Sequence, residues 1–485
     1  VSAFLRDGWL TSRRWFGSKS RTISGLDLPD FALVPHGDRV LLFGRCHIQY
    51  ETGDPEDYIL LFGLACEPPP KAVRLLRFED AQGGPLHLYE AVEDDGLVRL
   101  LLDLAKSENR VLTLKGDLLG ERLADLDADL EALPIAAIPG EQSNTNLRLG
   151  DRYLVKLFRR YVAGPNPDYE IGRFLTQRVG FPHVPRLTGA LHYVVDGAPP
   201  MTLLQVQGWV PNRGDAWQQV VAQLSSALRS QNDMPPLDVE FTLLGKRTGQ
   251  LHVCLASATD DPAFAPEEFT ESDLAHLVSQ MHAHLEASTQ LVAGLSSILP
   301  QPTRELAARF LASANRLRQC LVTPKLSEHV QKIRVHGDYH LGQVLCTTAG
   351  DFVIVDFEGE PGRSLAERRA KQCPLKDVAG MLRSFDYAAQ AALRQVDESS
   401  TASLRDAVAR WTANAQERFL EGYLAAANDA AFLPRSSQLR NQLLHLFVLD
   451  KALYELLYEA NNRPDWIAIP LTGLLRYAEG DQAGR

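Results

Sequence analysis

Short apolar runs broken by turn residues fill the first third of the chain, and apolar positions at helical spacing fill most of the rest. Residues 40–43, 58–62 and 72–76 read as strands and 97–104 as a short helix. The acid-rich stretch 114–133 reads as strand or loop leading to a linker. From 134 the pattern changes. A small polar loop over 139–146 runs into a strand, and 153–158 forms a second strand paired with it across Gly150-Asp151. A helix follows over 167–175, and the apolar strand 201–210 breaks at Pro211-Asn212-Arg213-Gly214-Asp215. Beyond 215 long helices dominate, notably at 243–252 and 274–295. The run 332–335 reads as a short strand. Residues 344–345 and 352–355 then read as a β-hairpin around 347–351. Helices resume at 374–387, with Pro374 near the first turn, and at 443–461, where Leu446, Leu449, Leu453, Leu456 and Ala460 make an apolar stripe. The pattern predicts an α+β chain in three stretches: 1–133, 134–210 and 211–485.

The densest chemistry lies at His336-Gly337-Asp338-Tyr339-His340-Leu341-Gly342-Gln343 and at Ile354-Val355-Asp356-Phe357-Glu358. The hairpin between them brings the loop before its first strand near the end of its second. Asp338, Gln343 and Asp356 can then face one site. Phosphoryl transfer to a hydroxyl needs a carboxylate to take the proton, a second carboxylate to hold Mg²⁺ against the phosphates of ATP, and a further oxygen in the metal shell. Asp338 is assigned as base, and Asp356 and Gln343 as metal ligands. The competing reading is two unrelated acidic turns flanking a hairpin.

The second stretch carries nucleotide candidates. Ser143, Asn144 and Thr145 at a hairpin tip can offer hydroxyls and backbone N–H groups to phosphates, although no GxGxxG is present. Lys156 is isolated among apolar residues, so it needs a partner. A nucleotide phosphate and Glu170 on the next helix would serve, and a snorkelling edge lysine is the alternative. Backbone groups from Gln207 to Val210 stand where a kinase hinge would bind adenine. A plain core strand explains the same pattern.

Composition narrows the classes. At 485 residues the chain is long for one core, which predicts two or three subdomains. A net charge of −11 argues against nucleic acid as the main partner. Cys46, Cys66, Cys254, Cys320, Cys346 and Cys373 show no CxxC spacing and fit free thiols in a reducing cytoplasm. No stretch approaches a transmembrane helix, and the first seven residues lack a signal-peptide apolar region. A first residue other than Met suits a piece of a longer polypeptide. The Arg13-Arg14-Trp15-Phe16 cluster is open between a stacking platform for nucleic acid and an aromatic core covered by Arg stems. His276, His282 and His284 lack a third ligand at metal spacing and read as surface or core residues.

Two C-terminal helices bear on the acceptor. Arg383 and Asp386 could reach it, or be ordinary surface charges, and Asp377 could orient the 336–343 loop from behind. On the 443–461 helix, Lys451, Glu455, Tyr458 and Asn462 line one face, with Asp450 and Tyr454 beside them. Alternating acid, base and tyrosine suits the hydroxyls and faces of a carbohydrate.

Taken together, the residues at 141–146, 156–160, 336–343, 355–361, 377–387, 450–455 and 462–466 resemble the bacterial maltokinases. The likeness runs from Arg14-Trp15-Phe16-Gly17 almost to the C-terminus. It implies an aminoglycoside-phosphotransferase-like, two-lobed protein-kinase-like fold. Residues 1–133 would be an N-terminal cap, 134–210 a nucleotide-binding N-lobe and 211–485 a mainly helical C-lobe. It also implies transfer of the ATP γ-phosphoryl group to the anomeric hydroxyl of maltose, and fusion to or association with trehalose synthase. Asp338 would be the base, Gln343 and Asp356 metal ligands, and Lys156 with Glu170 the phosphate clamp. His340, Glu358, Arg383, Lys451, Tyr454 and Glu455 would surround the sugar. Tyr339 stands where such enzymes usually carry Leu. The same fold accommodates a glucosamine kinase or an aminoglycoside phosphotransferase, whose cationic acceptors would call for surplus carboxylates. Arg383 and Lys451 point instead to a neutral sugar. A non-catalytic pseudokinase is the third reading.

Overall fold

The computed structural model describes residues 4–79, 82–125, 132–138, 144–230, 240–395 and 402–479. The chain divides into two compact units, Val1–Pro211 and Asn212–Arg485.

The first unit is built on two antiparallel sheets. One contains β1 (Ile23–His36), β2 (Arg39–Tyr50), β3 (Glu56–Ala65), β4 (Leu76–Glu79) and β5 (Pro85–Glu90), in the order β1-β2-β3-β5-β4. The other contains β6 (Arg110–Leu112), β7 (Gly116–Arg122), β8 (Ile135–Ala137), β9 (Asn144–Leu149), β10 (Tyr153–Phe158), β12 (Leu187–Val195) and β13 (Met201–Gly208), in the order β6-β7-β12-β13-β10-β9-β8. Between β10 and β12 in the chain, the short β11 (Arg160–Tyr161) returns to pair with β3 and ties the sheets together.

Successive side chains of a strand point to opposite faces, and β3 uses both. Ile59 and Leu61 enter a core shared with the second sheet and with the Asp95–Lys106 helix. Tyr58, Leu60 and Phe62 enter a second core with Trp9, Trp15 and Phe16. Arg13 lies over the Trp9 ring and Arg159 over Trp15, each 5.1 Å from the ring centre. The aromatic cluster is therefore core with cationic cover. Residues 72–75 are not a strand, because Pro68-Pro69-Pro70 precede them and Ala72 N–H closes a turn on the Pro69 carbonyl.

The second unit is mainly helical. Its long helices are Ala216–Ser230, Phe241–Leu255, Glu271–Leu295, Gln301–Cys320, Leu375–Arg394, Ala402–Ala427 and Ser437–Asn462, followed by Ala468–Glu479. Thr270 starts one of them with a reciprocal capping box to Asp273. The sheet β14 (Asn212–Asp215), β17 (Val344–Thr347), β18 (Phe352–Ile354) contains the expected hairpin. The 332–335 run is mostly not strand. Only β15 (Glu267–Glu268) and β16 (Gln331–Lys332) pair there, with one bridge from Ile333 to Gln372. Among the described residues no helix is long and apolar enough to cross a membrane.

Candidate active site

In the first unit, β10 is a central strand, with Lys156 in register with Asn146 on β9 and Gln205 on β13. The lysine is 6 % exposed, and its Nζ lies 3.1 Å from Asp168 Oδ2. The same carboxylate oxygen accepts from Gln205 Nε2 at 2.7 Å. Asn166 caps the Pro167–Arg173 helix by accepting from Asp168 N–H, with Pro167 in the first turn. This geometry turns Asp168 inward. Asp168 is thus a carboxylate partner of Lys156, and the expected partner Glu170 is half-buried two residues further along the same helix.

Asn144 and Thr145 open β9, and Thr145 Oγ1 accepts from Arg159 Nε at 2.9 Å. Ser143 lies outside the described residues. Gln207 is in register with Leu154 on one side and Leu187 on the other, so it is an interior sheet residue. The next two backbone N–H groups, of Gly208 and Trp209, donate to the Arg186 and Arg152 carbonyls. Val210 follows directly, after the strand has ended.

In the second unit the 336–343 loop is held from behind by Asp377, which is 1 % exposed. Its Oδ2 accepts from His336 N–H at 2.7 Å and its Oδ1 from Gly337 N–H at 3.0 Å. His252 Nε2 is 3.2 Å away. Burial alone would raise the Asp377 pKa, but the hydrogen bond and charge of His252 and the loop N–H groups bring it below its ordinary value. Gly337 takes φ +86°, and a Cβ there would press on the Gly359 Cα at 3.3 Å. The positive φ and the close approach both favour glycine before Asp338.

Asp338 is about one quarter exposed, and Lys451 Nζ lies 3.4 Å from its Oδ1. The buried Glu360 takes the same ammonium at 3.1 Å. Burial works to lower the Lys451 pKa, but the charges of Asp338 and Glu360 outweigh it and hold the amine protonated. The Tyr454 ring lies beneath, 4.9 Å from Nζ. His340 opens a short turn and accepts from Gly342 N–H at 3.1 Å. Burial lowers its pKa against the charge of Asp338. The Tyr339 hydroxyl turns inward to Thr248 Oγ1 at 2.8 Å, so this departure from the usual Leu does not project into the acceptor side.

Asp356 lies just beyond β18 and is the only non-glycine residue at positive φ, +68°, among the described residues. For a non-glycine residue such a conformation is uncommon, and Asp is among the side chains that adopt it most readily. Gln343 Nε2 donates to Asp356 Oδ2 at 3.0 Å, so the two proposed metal ligands are adjacent. A flip of the Gln343 amide would turn its oxygen beside the carboxylate. Mg²⁺ commonly takes one or two protein groups and fills its shell with phosphate oxygens and water. One carboxylate and one amide fit that use.

Three expected acceptor residues, Arg383, Glu455 and Glu358, have partners within the protein. Arg383 is 2 % exposed and gives Nε and Nη2 to Glu455 Oε2 at 2.9 and 2.7 Å, and Nη1 to Asp386 at 2.8 Å. Arg383 and Glu455 thus brace two helices against each other and do not line an open sugar face. Glu358 sits by Arg368, whose Nη1 donates to the Glu358 carbonyl at 3.1 Å. The 443–461 face is split, for Tyr458 and Asn462 are exposed while Lys451 and Tyr454 are half-buried near Asp338. The sequence pattern sets the segment 360–369 at the border of the acceptor but gives Glu360 no role of its own.

The fold and these two constellations define a phosphotransferase of kinase-like architecture. The chain belongs to the phosphotransferase enzyme family, whose family model matches residues 135–407. It is 27 % identical over 358 residues to a glucosamine kinase of Streptacidiphilus jiangxiensis, covering 72 % of this chain and 76 % of that protein. It is 27 % identical over 405 residues to a glucosamine kinase of Mycolicibacterium smegmatis (strain ATCC 700084 / mc(2)155), covering 83 % and 92 %. A solved glucosamine kinase in complex with glucosamine, ADP and inorganic phosphate superposes with a TM-score of 0.63 at 22 % identity, covering 93 % of each chain. A glucosamine kinase solved in crystal form A superposes with a TM-score of 0.65 at 22 % identity, covering 98 % of this chain and 97 % of the other.

Proposed function

We propose that this phosphotransferase moves the γ-phosphoryl group of ATP to a sugar, and that the sugar is maltose, phosphorylated at its anomeric hydroxyl to give maltose 1-phosphate and ADP. The observation that carries the reaction type is Asp338 on a turn locked by Asp377, within one unit with the adjacent Gln343 and Asp356. Asp338 accepts the proton of the attacking hydroxyl. Lys156, paired with Asp168, neutralises nucleotide phosphate oxygens. Gln343 and Asp356 would hold Mg²⁺, which neutralises charge on the phosphates.

Maltose is favoured by the maltokinase-like motifs. Lys451 is shared between Asp338 and Glu360, two carboxylates to one ammonium, so the charges around Asp338 do not themselves choose between a neutral and a cationic acceptor. On this reading trehalose synthase is the partner of the pathway and the product feeds glucan synthesis. A second reading, glucosamine as acceptor, is favoured by the names of the relatives.

The test is ATP- and Mg²⁺-dependent phosphorylation of maltose, glucosamine and kanamycin side by side, with NMR of the products. An anomeric phosphate on maltose is expected. Phosphate on glucosamine or kanamycin and none on maltose would keep the phosphotransferase and replace the acceptor.

A further inference from the structure

An alternating row of charges leads away from the base. Asp338 meets Lys451 at 3.4 Å, Lys451 meets Glu360 at 3.1 Å, and Glu360 Oε2 meets Arg363 Nε at 3.3 Å. Arg363 Nη1 then meets Glu367 Oε1 at 3.3 Å, and Glu367 closes a capping box with Ser364 at the start of the Leu365–Arg369 helix. Glu360 is 5 % exposed. A carboxylate so buried is costly unless it is paired, and no chemical role given above needs it.

Lys451 and Asp338 alone would form a poor base. A cation bound to one carboxylate lowers its proton affinity, and a proton acceptor must release that grip as the hydroxyl approaches. Glu360 supplies the alternative seat. It already holds the same ammonium at 3.1 Å, closer than Asp338 does at 3.4 Å, and is itself held by Arg363 at 3.3 Å.

We propose that Glu360 is a positioning residue that shares Lys451 with Asp338, so that the ammonium withdraws towards Glu360 when the acceptor hydroxyl engages the base. This rests on the reading of Asp338 as base. Burial would raise the Glu360 pKa, but Lys451 and Lys376 bring it below its ordinary value, which keeps the seat charged. Arg363, Asp450 and the Tyr454 hydroxyl also lie within electrostatic reach of it.

The experiment is a four-protein cycle: wild type, Glu360→Gln, Lys451→Met and the double variant. On the acceptor that wild type phosphorylates, Glu360→Gln is expected to lower kcat at least tenfold, because Lys451 collapses onto Asp338, and to move KM for either substrate less than threefold. In the Lys451→Met background the same change is expected to alter kcat less than twofold. A Glu360→Gln kcat within twofold of wild type, or an equal loss in both backgrounds, overturns the proposal. Urea unfolding of the same four proteins reads the pair without any acceptor. Non-additive midpoints are expected, and additive ones would show no coupling and also overturn it. If no sugar is phosphorylated while the unfolding coupling persists, the function reading fails and the charge pair stands.

Discussion

Gly380 runs so close to the catalytic turn that a Cβ on it would lie 2.6 Å from the carbonyl oxygen of Tyr339. The Leu375–Arg394 helix therefore grips the turn along one face. Asp377 takes the N–H groups of His336 and Gly337, Gly380 admits the Tyr339 carbonyl, and Ser384 Oγ accepts from Leu341 N–H at 3.0 Å. The spacing i, i+3, i+7 is that of one helical face. The turn that carries Asp338 is thus set by contacts to a rigid element, as the proposed role of a reacting carboxylate requires.

Gly380→Ala tests that grip. The added methyl meets backbone, which cannot swing aside, so overpacking of about 1–3 kcal/mol is expected. The turn should shift with it. We expect kcat to fall at least tenfold while the protein still folds, read by steady-state kinetics alongside a urea titration. Unchanged kcat would show that the turn is held elsewhere.

Asp377 also predicts a pH dependence. Its pKa is depressed in the folded state, so its contribution to stability is present above the unfolded value of about 4 and is lost as pH falls through the folded value. Asp377→Asn should therefore be less stable than wild type at pH 7, and the gap should narrow below about pH 4. Urea midpoints of both proteins between pH 3 and 7 measure it. A gap that widens in acid would reverse the assigned sign.

Asp356 holds a left-handed backbone at φ +68°, which costs a non-glycine residue about 1–2 kcal/mol. Asp356→Gly should relieve that cost and leave the unfolding midpoint at or above wild type. Phosphoryl transfer should fall below one hundredth. A variant that is both inactive and much less stable would assign Asp356 a structural part instead.

The Arg383–Glu455 pair separates bracing from sugar binding. Arg383→Met leaves Glu455 and Asp386 without their guanidinium in a buried place, which is expected to cost about 3–5 kcal/mol. Arg383→Met with Glu455→Leu should recover part of it. Equilibrium unfolding reads both. If instead Arg383→Met keeps its stability and raises KM for the sugar, Arg383 touches the acceptor.

How much of this was legible varied with distance along the chain. The β17–β18 hairpin, Asp338, Gln343 and Asp356 all lie within nineteen residues, and turn chemistry alone brings the last two together. Lys156 was found because a lone cation among apolar residues needs a partner, yet its hydrogen-bonded carboxylate is Asp168. The difference is which face of a helix turns inward, and that follows from the Asn166 cap and its backbone geometry, not from spacing. Arg383 and Glu455 were read as sugar contacts because their pairing joins helices 72 positions apart. A periodicity within one helix cannot show a partner on another. Glu360 escaped for the same reason, since only the fold sets Lys451 against it. The 72–76 run was misread because its apolar pattern matched a strand while the prolines before it set a turn.

The central claim is that Asp338 takes the proton from a sugar hydroxyl, and the most direct measurement compares wild type with Asp338→Asn on the acceptor found by product NMR. The substitution keeps shape and removes the base. The account predicts a fall in kcat of about 10²–10⁴, little change in KM for ATP or sugar, and an unfolding midpoint close to that of wild type. An Asp338→Asn enzyme that retains more than a tenth of the wild-type kcat would contradict it.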